Sequence, residues 1–240
     1  MANRGERKRQ KSIAAQKVRG FERKEDTFTP RSKPGPHDKW TSVPLSFALR
    51  HVLRLSANMK ETKKILSGGN LLVNGRARKK PEFPVGLFDV IEIVPAKQKF
   101  RLYFDTKGRM IAKAIDHKEG GFKVSKITGK YVGKGGKMYA STSDGFTLEI
   151  GKEKINVEDS VKVSFPNMKV AEVYPMAGGS IAFIVSGKHT GKTVRLEGVH
   201  KGSLKTHTVV EFSENGDKYQ TLIDNVFVVG KSKPEIEVLA

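Results

Sequence analysis

From residue 97 onward, apolar residues alternate with polar ones in short runs, and glycine-containing turns separate the runs. Phe100, Leu102 and Phe104 follow this period of two, which is typical of half-buried β-strands. Asp144-Gly145 and Asn215-Gly216 are pairs that join antiparallel strands. The pattern predicts a central β domain and then a smaller β unit. The strands of the second unit are expected near residues 181–185, 193–196, 207–212, 218–223 and 225–229.

Two short helices are predicted ahead of the β region. Residues 42–55 carry apolar side chains at helical spacing, with Ser42 as the cap and Pro44 in the first turn. A second helix begins at Asn58, because a glutamate three residues later completes an approximate capping box, and it stops at Gly68-Gly69. The basic side chains on the outer faces of these helices are Arg50, Arg54, Lys60, Lys63 and Lys64.

A β-hairpin is predicted directly after the second helix. Its turn is Asn74-Gly75, a pair that accepts the positive φ angles of a two-residue turn. Asp also accepts this conformation, so we expect Asn74→Asp to be mild for folding, although it places a negative charge beside the basic residues that follow the turn. A further strand is expected over residues 85–94. The basic side chains that follow the turn are Arg76, Arg78, Lys79 and Lys80.

The chain is strongly basic, with 45 Lys and Arg against 25 Asp and Glu, a formal charge of +20. Such a charge is self-repulsive without a polyanion nearby. The sequence has no Cys, which removes disulfide scaffolds and thiolate metal sites. Its longest apolar runs are about five residues, far fewer than the roughly 20 that span a bilayer. We therefore expect a soluble protein of a reducing compartment with a polyanionic partner.

The first 40 residues hold 12 Lys and Arg and 5 Asp and Glu. Ile13 and Val18 are the large aliphatic residues that follow Met1 in the first 20 positions, too little apolar surface to offset the entropy of ordering. Two interpretations remain, a solvated tail or an arm that orders along nucleic-acid phosphates. We favour the arm. Three prolines that follow it predict a stiff connector, namely Pro30, Pro34 and Pro36.

Several motifs do not support catalysis. Residues 186–193 resemble a phosphate-binding P-loop, but Ser186 replaces the first glycine and a strand-like run follows instead of a helix. Residues 133–137 predict a flexible basic loop. The six histidines lack metal spacing; His189 is expected to be either solvated or an RNA contact. For Trp40 and Phe47 we favour core or domain packing over base stacking.

The order of these segments carries a family resemblance. Residues 43–94 resemble an S4-type RNA-binding module, and residues 177–199 resemble a KOW module with a basic turn ending near Gly191. The motifs that carry the resemblance are Pro34-Gly35-Pro36-His37, Gly69-x-Leu71-x-Val73-Asn74-Gly75, Gly86-Leu87-Phe88-Asp89-Val90-Ile91 and Asn225-Val226-Phe227-Val228-Val229-Gly230-Lys231. Over essentially the whole chain, the sequence is similar to the S4e family of small-subunit ribosomal proteins. The absence of a long C-terminal extension is typical of archaeal members.

The resemblance implies a multidomain, mostly β (α+β) architecture. Its expected parts are a basic extended N-terminal arm (1–41), a small α+β S4-type module (42–96), a central β domain (97–172) and a C-terminal SH3-like β-barrel with the KOW module (173–240). It implies a non-catalytic, cytoplasmic constituent of the small ribosomal subunit, without cofactor or metal. The implied partners are small-subunit rRNA and neighbouring ribosomal proteins; we expect no membrane partner and no homo-oligomer.

The predicted RNA-binding residues are cations placed for phosphate contacts, together with the two turn residues that present some of them. They are Lys8, Arg9, Lys11, Arg50, Arg54, Lys60, Lys63, Lys64, Asn74, Gly75, Arg76, Arg78, Lys79, Lys188, Lys192 and Arg195. Two other classes of function are alternatives to this one. An RNA-modifying enzyme needs a catalytic domain of more than about 150 residues, which the β region does not supply. A free transcription or translation factor would use the KOW module without joining the subunit.

Overall fold

The computed structural model describes residues 9–21, 23–24, 26–117, 119–151, 154–203, 206–214 and 217–236. The chain forms two compact units. Unit 1 consists of Met1–Tyr103 and Arg109–Asp116, and unit 2 consists of Phe104–Gly108 and His117–Ala240. Strands dominate the described part of both units, so the predicted mostly β architecture is confirmed.

Unit 1 is built around a five-stranded sheet of order β5-β4-β7-β8-β9 and two strand pairs, β1-β2 and β3-β6. Its strands are β1 (Arg9–Lys11), β2 (Phe28–Pro30), β3 (Val43–Pro44), β4 (Leu71–Val73), β5 (Arg76–Ala77), β6 (Pro84–Val85), β7 (Val90–Ile93), β8 (Gln98–Phe104) and β9 (Met110–Ile115). Its helical segments are α1 (Leu45–Phe47), a π-helical turn (Ala48–Val52), α2 (Met59–Ser67) and two 3-10 turns (Ser12–Ala14 and Lys17–Arg19). Leu45, Phe47, Leu66 and Ile91 are fully buried.

The first predicted helix is shorter than its apolar pattern suggested. Ser42 does not cap it: the Ser42 hydroxyl donates to the Asp38 carbonyl at 2.6 Å, and Pro44 stands at the N-cap without a side-chain hydrogen bond. The helix widens into the π-helical turn, and Arg54 then takes a positive φ of 54°. The pairing of β3 with β6 keeps residues 43–44 extended. Tertiary pairing therefore overrides the helical pattern at this end.

The N-terminal segment is not an extended arm where the structure describes it. β1 pairs with β2 in an antiparallel register, and Val18 is buried. The Arg19 guanidinium is buried as well and donates to Thr29 Oγ1 at 3.1 Å and to the Pro30 carbonyl at 2.6 Å. Burial lowers the pKa of Arg19 to about 10, so it stays charged at neutral pH. The arm prediction follows from the basic excess and the small number of apolar residues, and neither signal reveals this buried arginine.

The proline-rich stretch contacts the rest of unit 1. Its Lys33 amide donates to the Glu82 carbonyl at 2.9 Å, and His37 Nε2 lies 2.7 Å from Asp89 Oδ2. The sheet of unit 1 also continues past the boundary predicted at residue 96, because β7 pairs with β8. The strand predicted over residues 85–94 is interrupted between β6 and β7, where Phe88 takes a positive φ of 59°.

Unit 2 contains two five-stranded sheets, of order β12-β11-β10-β13-β14 and β18-β17-β16-β15-β19. The strands of the first are β10 (Phe122–Val132), β11 (Met138–Thr142), β12 (Thr147–Ile150), β13 (Ser160–Ser164) and β14 (Lys169–Tyr174). Those of the second are β15 (Ile181–Ile184), β16 (Thr193–His200), β17 (Val209–Glu214), β18 (Asp217–Leu222) and β19 (Val226–Gly230). Three 3-10 turns lie at Glu119–Gly121, Lys134–Gly136 and Ile223–Asn225.

The apolar residues that alternate with polar ones in the sequence are buried in the first sheet of unit 2. Ile127, Leu148, Val161 and Val163 belong to one apolar cluster. The hairpin predicted at Asp144-Gly145 joins β11 to β12, with Gly145 at a φ of 71°. The five strands predicted after residue 173 are confirmed as β15–β19. The predicted turn at residues 215–216 lies outside the described residues.

Candidate nucleic-acid interface

Most of the predicted RNA-binding residues lie in unit 1. Lys8 is outside the described residues, whereas Arg9, Lys11, Arg50, Arg54, Lys60, Lys63, Lys64, Asn74, Gly75, Arg76, Arg78 and Lys79 are described there. The remaining three, Lys188, Lys192 and Arg195, belong to unit 2. The described cations of the set are exposed except Arg50 and Arg78, which are half-buried. The surface of unit 1 therefore carries the larger basic set.

Helix α2 presents its lysines because its other face is anchored. Asn58 Oδ1 accepts the Glu61 amide at 2.9 Å, as the predicted cap requires, and Thr62 and Leu66 are buried. Residues three or four positions apart share a helix face, so burial of these two leaves the other faces of the helix, with their lysines, exposed. Those exposed lysines are Lys60, Lys63 and Lys64.

One cleft brings together predicted cations from three elements. We call it the Arg50 cleft; it is lined by Arg9, Phe28, Thr29, Pro30, Arg50, Met59, Lys63 and Glu82. The Nε atom of Arg50 is buried and has no hydrogen-bond partner among the described residues. Since Arg50 is only half-buried, the rest of its guanidinium can still offer donors to an external acceptor. The nearby positive charges favour an anionic one.

A second cleft surrounds Arg78. We call it the Arg78 groove; its lining residues are Lys33, Pro34, Ala77, Arg78, Lys79, Lys80, Phe83 and Pro84. The Arg78 guanidinium lies 4.4 Å from the centre of the Phe83 ring, and its Nε is buried without a partner in the described part of the chain. Burial and then the neighbouring Arg76 lower the pKa of Arg78, while Asp89 acts in the opposite direction.

The two clefts share one chain segment, since the consecutive residues Glu82 and Phe83 line the Arg50 cleft and the Arg78 groove respectively. Each cleft contains one half-buried arginine whose Nε has no partner among the described residues, with exposed cations beside it. A phosphodiester chain presents regularly spaced anionic acceptors. The arrangement therefore matches a polyanion better than it matches a single small anion.

The Asn74-Gly75 turn has the predicted conformation, with φ angles of 52° and 74°. The Asn74 side chain also forms hydrogen bonds that are not part of the turn itself. Asn74 Nδ2 donates to Asp89 Oδ1 at 2.7 Å, and Asn74 Oδ1 accepts the Val90 amide at 2.9 Å. Asp89 Oδ2 in turn accepts the Gly86 amide at 2.8 Å and lies 2.7 Å from His37 Nε2. This Asn74–Asp89–His37 network fixes the hairpin that carries Arg76 and Arg78.

Gly75→Val is expected to destabilise unit 1 by about 1–2 kcal/mol, because a β-branched residue is strained at a positive φ. Urea denaturation of the full chain measures this loss. Gly75→Asn is the matched control, since asparagine tolerates the left-handed region, and it should lose less than the valine variant. Equal stability of the wild type and Gly75→Val would contradict the turn assignment.

The residues of the apparent P-loop form a connection between β15 and β16. Gly191 takes a φ of 83°, its amide donates to the Ile184 carbonyl at 2.8 Å, and a strand follows it. His189 is half-buried, with its ring 4.5 Å from that of Tyr219 and 5.4 Å from that of Phe212. Lys188, Lys192 and Arg195 remain exposed on this hairpin.

The packing predictions for Phe47 and Trp40 have different outcomes. Phe47 is fully buried, as expected for a core residue, whereas Trp40 is 69% exposed. The interpretation of Trp40 as a core residue is therefore wrong, and its role in packing between domains stays a prediction. Lys39 Nζ lies 5.5 Å from the centre of the Trp40 ring.

Several basic residues serve the fold instead of the surface. Lys123 Nζ lies 3.0 Å from Asp144 Oδ2 with both side chains buried. Lys126 Nζ donates to the Ile223 carbonyl at 2.9 Å and forms an ion pair with Glu158 Oε2 at 2.5 Å. Composition alone could not separate these lysines from surface ones. Among the described residues, no helix is long and apolar enough to cross a membrane.

Similarity to known proteins extends over the whole chain. Residues 96–170 match the family described as Ribosomal family S4e, and residues 4–39 match the RS4NT domain. The small ribosomal subunit protein eS4 of Methanosphaera stadtmanae is 36% identical over 100% of this chain and 99% of its own. Its counterpart from Methanococcus vannielii is 35% identical, covering 99% of this chain and 100% of its own.

A solved structure agrees with these relatives. The crystal structure of the 30S ribosomal protein S4e from Thermoplasma acidophilum superposes with a TM-score of 0.69 at 29% identity, covering 80% of this chain and 96% of that one. The Methanosphaera relative is more than 30% identical over nearly the full length of both proteins. The similarity therefore includes the N-terminal segment and both units, and is not limited to one shared module. The chain belongs to the S4e family of ribosomal proteins.

Proposed function

We propose that this chain is a non-catalytic constituent of the small ribosomal subunit in the cytoplasm, and that unit 1 holds its main rRNA-binding surface. Family membership supports the first part. The proposed partners are small-subunit rRNA and the ribosomal proteins beside it. The proposed contacts are made to phosphates and to the shape of the RNA, as is usual where an A-form groove hides the base edges.

The observation that carries the proposal is the pair of half-buried arginines, Arg50 and Arg78. Exposed lysines on a helix face are common in soluble proteins and need no ligand. A buried guanidinium Nε–H without a described partner is different, because leaving such a donor unpaired costs about 1–3 kcal/mol. A phosphate at each cleft would accept from the accessible part of the half-buried guanidinium, and arginine is suited to phosphate because its planar fork offers several donors.

The finer module assignments are also part of the proposal. We infer that residues 43–94 act as an S4-type module, since α2 and the hairpin after it present cations from adjacent elements. We infer that residues 177–199 act as a KOW module, since β15 and β16 flank a basic turn. Lys188, Lys192 and Arg195 would then add a second set of phosphate contacts from unit 2.

Binding should depend steeply on salt. If about ten phosphates are neutralised, the logarithm of the affinity for small-subunit rRNA should fall with the logarithm of salt concentration at a slope of about −7 to −9. Arg50→Met and Arg78→Met should each weaken binding several-fold, equally across RNA sequences, and make the slope shallower by about one unit. Filter binding or fluorescence anisotropy over a salt series measures both quantities.

Lys218→Met provides the control for net charge. Lys218 is exposed and pairs with Glu197 at 2.9 Å in unit 2, so its loss changes the formal charge as Arg50→Met does. The control should keep the wild-type slope. A shared loss in all three variants would mean that only overall charge matters and would remove the proposed surface. Cofractionation of the full chain with small subunits at moderate salt separates a ribosomal constituent from a free factor.

A further inference from the structure

Phe28 is an aromatic side chain held at the surface. It is 55% exposed and lines the Arg50 cleft. The pairing of β2 with β1 sets Phe28 opposite Lys11, and the buried Arg19 anchors the next two residues through Thr29 Oγ1 and the Pro30 carbonyl. The ring is therefore fixed by a rigid segment, although burial of apolar area does not explain its position.

The charged residues of the same cleft include both cations and an anion. Arg9, Arg50 and Lys63 supply three cations, and Glu82 supplies a half-buried carboxylate. That carboxylate forms no ion pair or hydrogen bond with another described residue, although the cations line the same cleft. The cleft thus combines an exposed ring face, donors for a phosphate and an acceptor that is still available.

These three features match the three parts of one nucleotide. A phosphate suits the cations, and a base face can stack on the Phe28 ring, an interaction open to bases outside a duplex. The base edge would then meet Glu82. A carboxylate with two oxygens pairs best with two adjacent donors, which guanine presents at N1 and N2, whereas adenine and cytosine present only an amino group there.

We propose that the Arg50 cleft binds one unpaired guanosine of the RNA, with the base stacked on Phe28 and its Watson–Crick edge on Glu82. This inference rests on the proposed rRNA binding and adds a base-specific contact to a surface otherwise read through phosphates. Phe28 and Glu82 are the specificity-determining residues, while Arg9, Arg50 and Lys63 hold the phosphate backbone.

The test uses the full chain and two single-stranded RNA heptamers, UUUGUUU and UUUAUUU, with an RNA duplex of the same length as a reference. The wild type should bind the guanosine heptamer about tenfold more tightly than the adenosine one. Phe28→Leu should weaken binding of the guanosine heptamer roughly tenfold and leave duplex binding unchanged. Glu82→Gln should abolish the preference for guanosine. Thermal denaturation of each variant verifies that unit 1 remains folded.

Trp40→Leu is the matched control, because Trp40 is an exposed aromatic of unit 1 that does not line the cleft. It should change neither affinity. In addition, 6-thioguanosine placed in small-subunit rRNA should photo-crosslink to the peptide that contains Phe28. Equal effects of Phe28→Leu and Trp40→Leu, or crosslinks that map only to peptides outside the cleft, would overturn the guanosine site. If the rRNA salt slope also stays steep in that case, the proposed function stands without it; a flat slope overturns both.

Discussion

Asn74→Asp is expected to lower the free energy of unfolding by about 3 kcal/mol or more at neutral pH. The substitution replaces the amide that donates to Asp89 Oδ1 at 2.7 Å with a second carboxylate. Asn74 and Asp89 are both buried, so the repulsion between two carboxylates is poorly screened there. Asp89 also keeps its contacts to Gly86 and His37, which prevent it from turning away.

Asn74→Gly separates the network from the turn. Glycine accepts the φ of 52° at this position but removes both side-chain hydrogen bonds. Its loss should be about 1–3 kcal/mol, the usual penalty for leaving a buried acceptor unpaired. The aspartate variant should therefore be less stable than the glycine variant, although aspartate is the closer relative of asparagine in turn preference.

The deficit of Asn74→Asp should shrink as the pH falls. A proton shared between the two carboxyl groups removes the repulsion and restores a donor, so acid stabilises this variant relative to the wild type. Urea denaturation at neutral pH and at about pH 4.5 measures the difference. A variant as stable as the wild type at both values would show that turn propensity alone governs residue 74, as the sequence suggested.

The features that were predicted correctly from the sequence are those set by residues close together in the chain. The Asn58 cap, the Asn74-Gly75 turn and the alternating strands of unit 2 are confirmed. Each depends on residues within a few positions of one another, so the side chains involved are visible together in the sequence. The same reasoning separated residues 186–193 from a true P-loop, because the run that follows has the period of a strand.

Long-range pairing decided what the sequence did not predict. His37 and Asp89 are 52 residues apart, and no spacing rule connects them. The N-terminal segment was interpreted from its charge, yet Arg19 is buried among backbone and hydroxyl acceptors. In the Arg50 cleft, the sequence identified Arg9, Arg50 and Lys63 as cations but gave no role to Phe28 or Glu82, since only the fold places them together.

Lys123→Met is expected to lower the free energy of unfolding by about 3–5 kcal/mol, because it leaves the carboxylate of Asp144 buried without its lysine. The two side chains are 1% and 6% exposed, with Nζ and Oδ2 3.0 Å apart. Ser125 Oγ also donates to this carboxylate, at 2.5 Å, but a hydroxyl cannot neutralise a charge.

Lys137→Met supplies the matched control in the same sheet. Lys137 pairs with Glu149 at 2.8 Å, but both side chains are more than half exposed, and water screens such pairs. Its loss should change stability little, and a double variant Lys123→Met/Asp144→Leu should recover part of the stability lost in Lys123→Met because no buried charge remains unpaired. Urea denaturation of the three variants tests this. Equal losses in Lys123→Met and Lys137→Met would show that the buried pair has no special weight. The expected inequality would mean that a lysine in this highly basic chain can be indispensable to the fold without touching RNA.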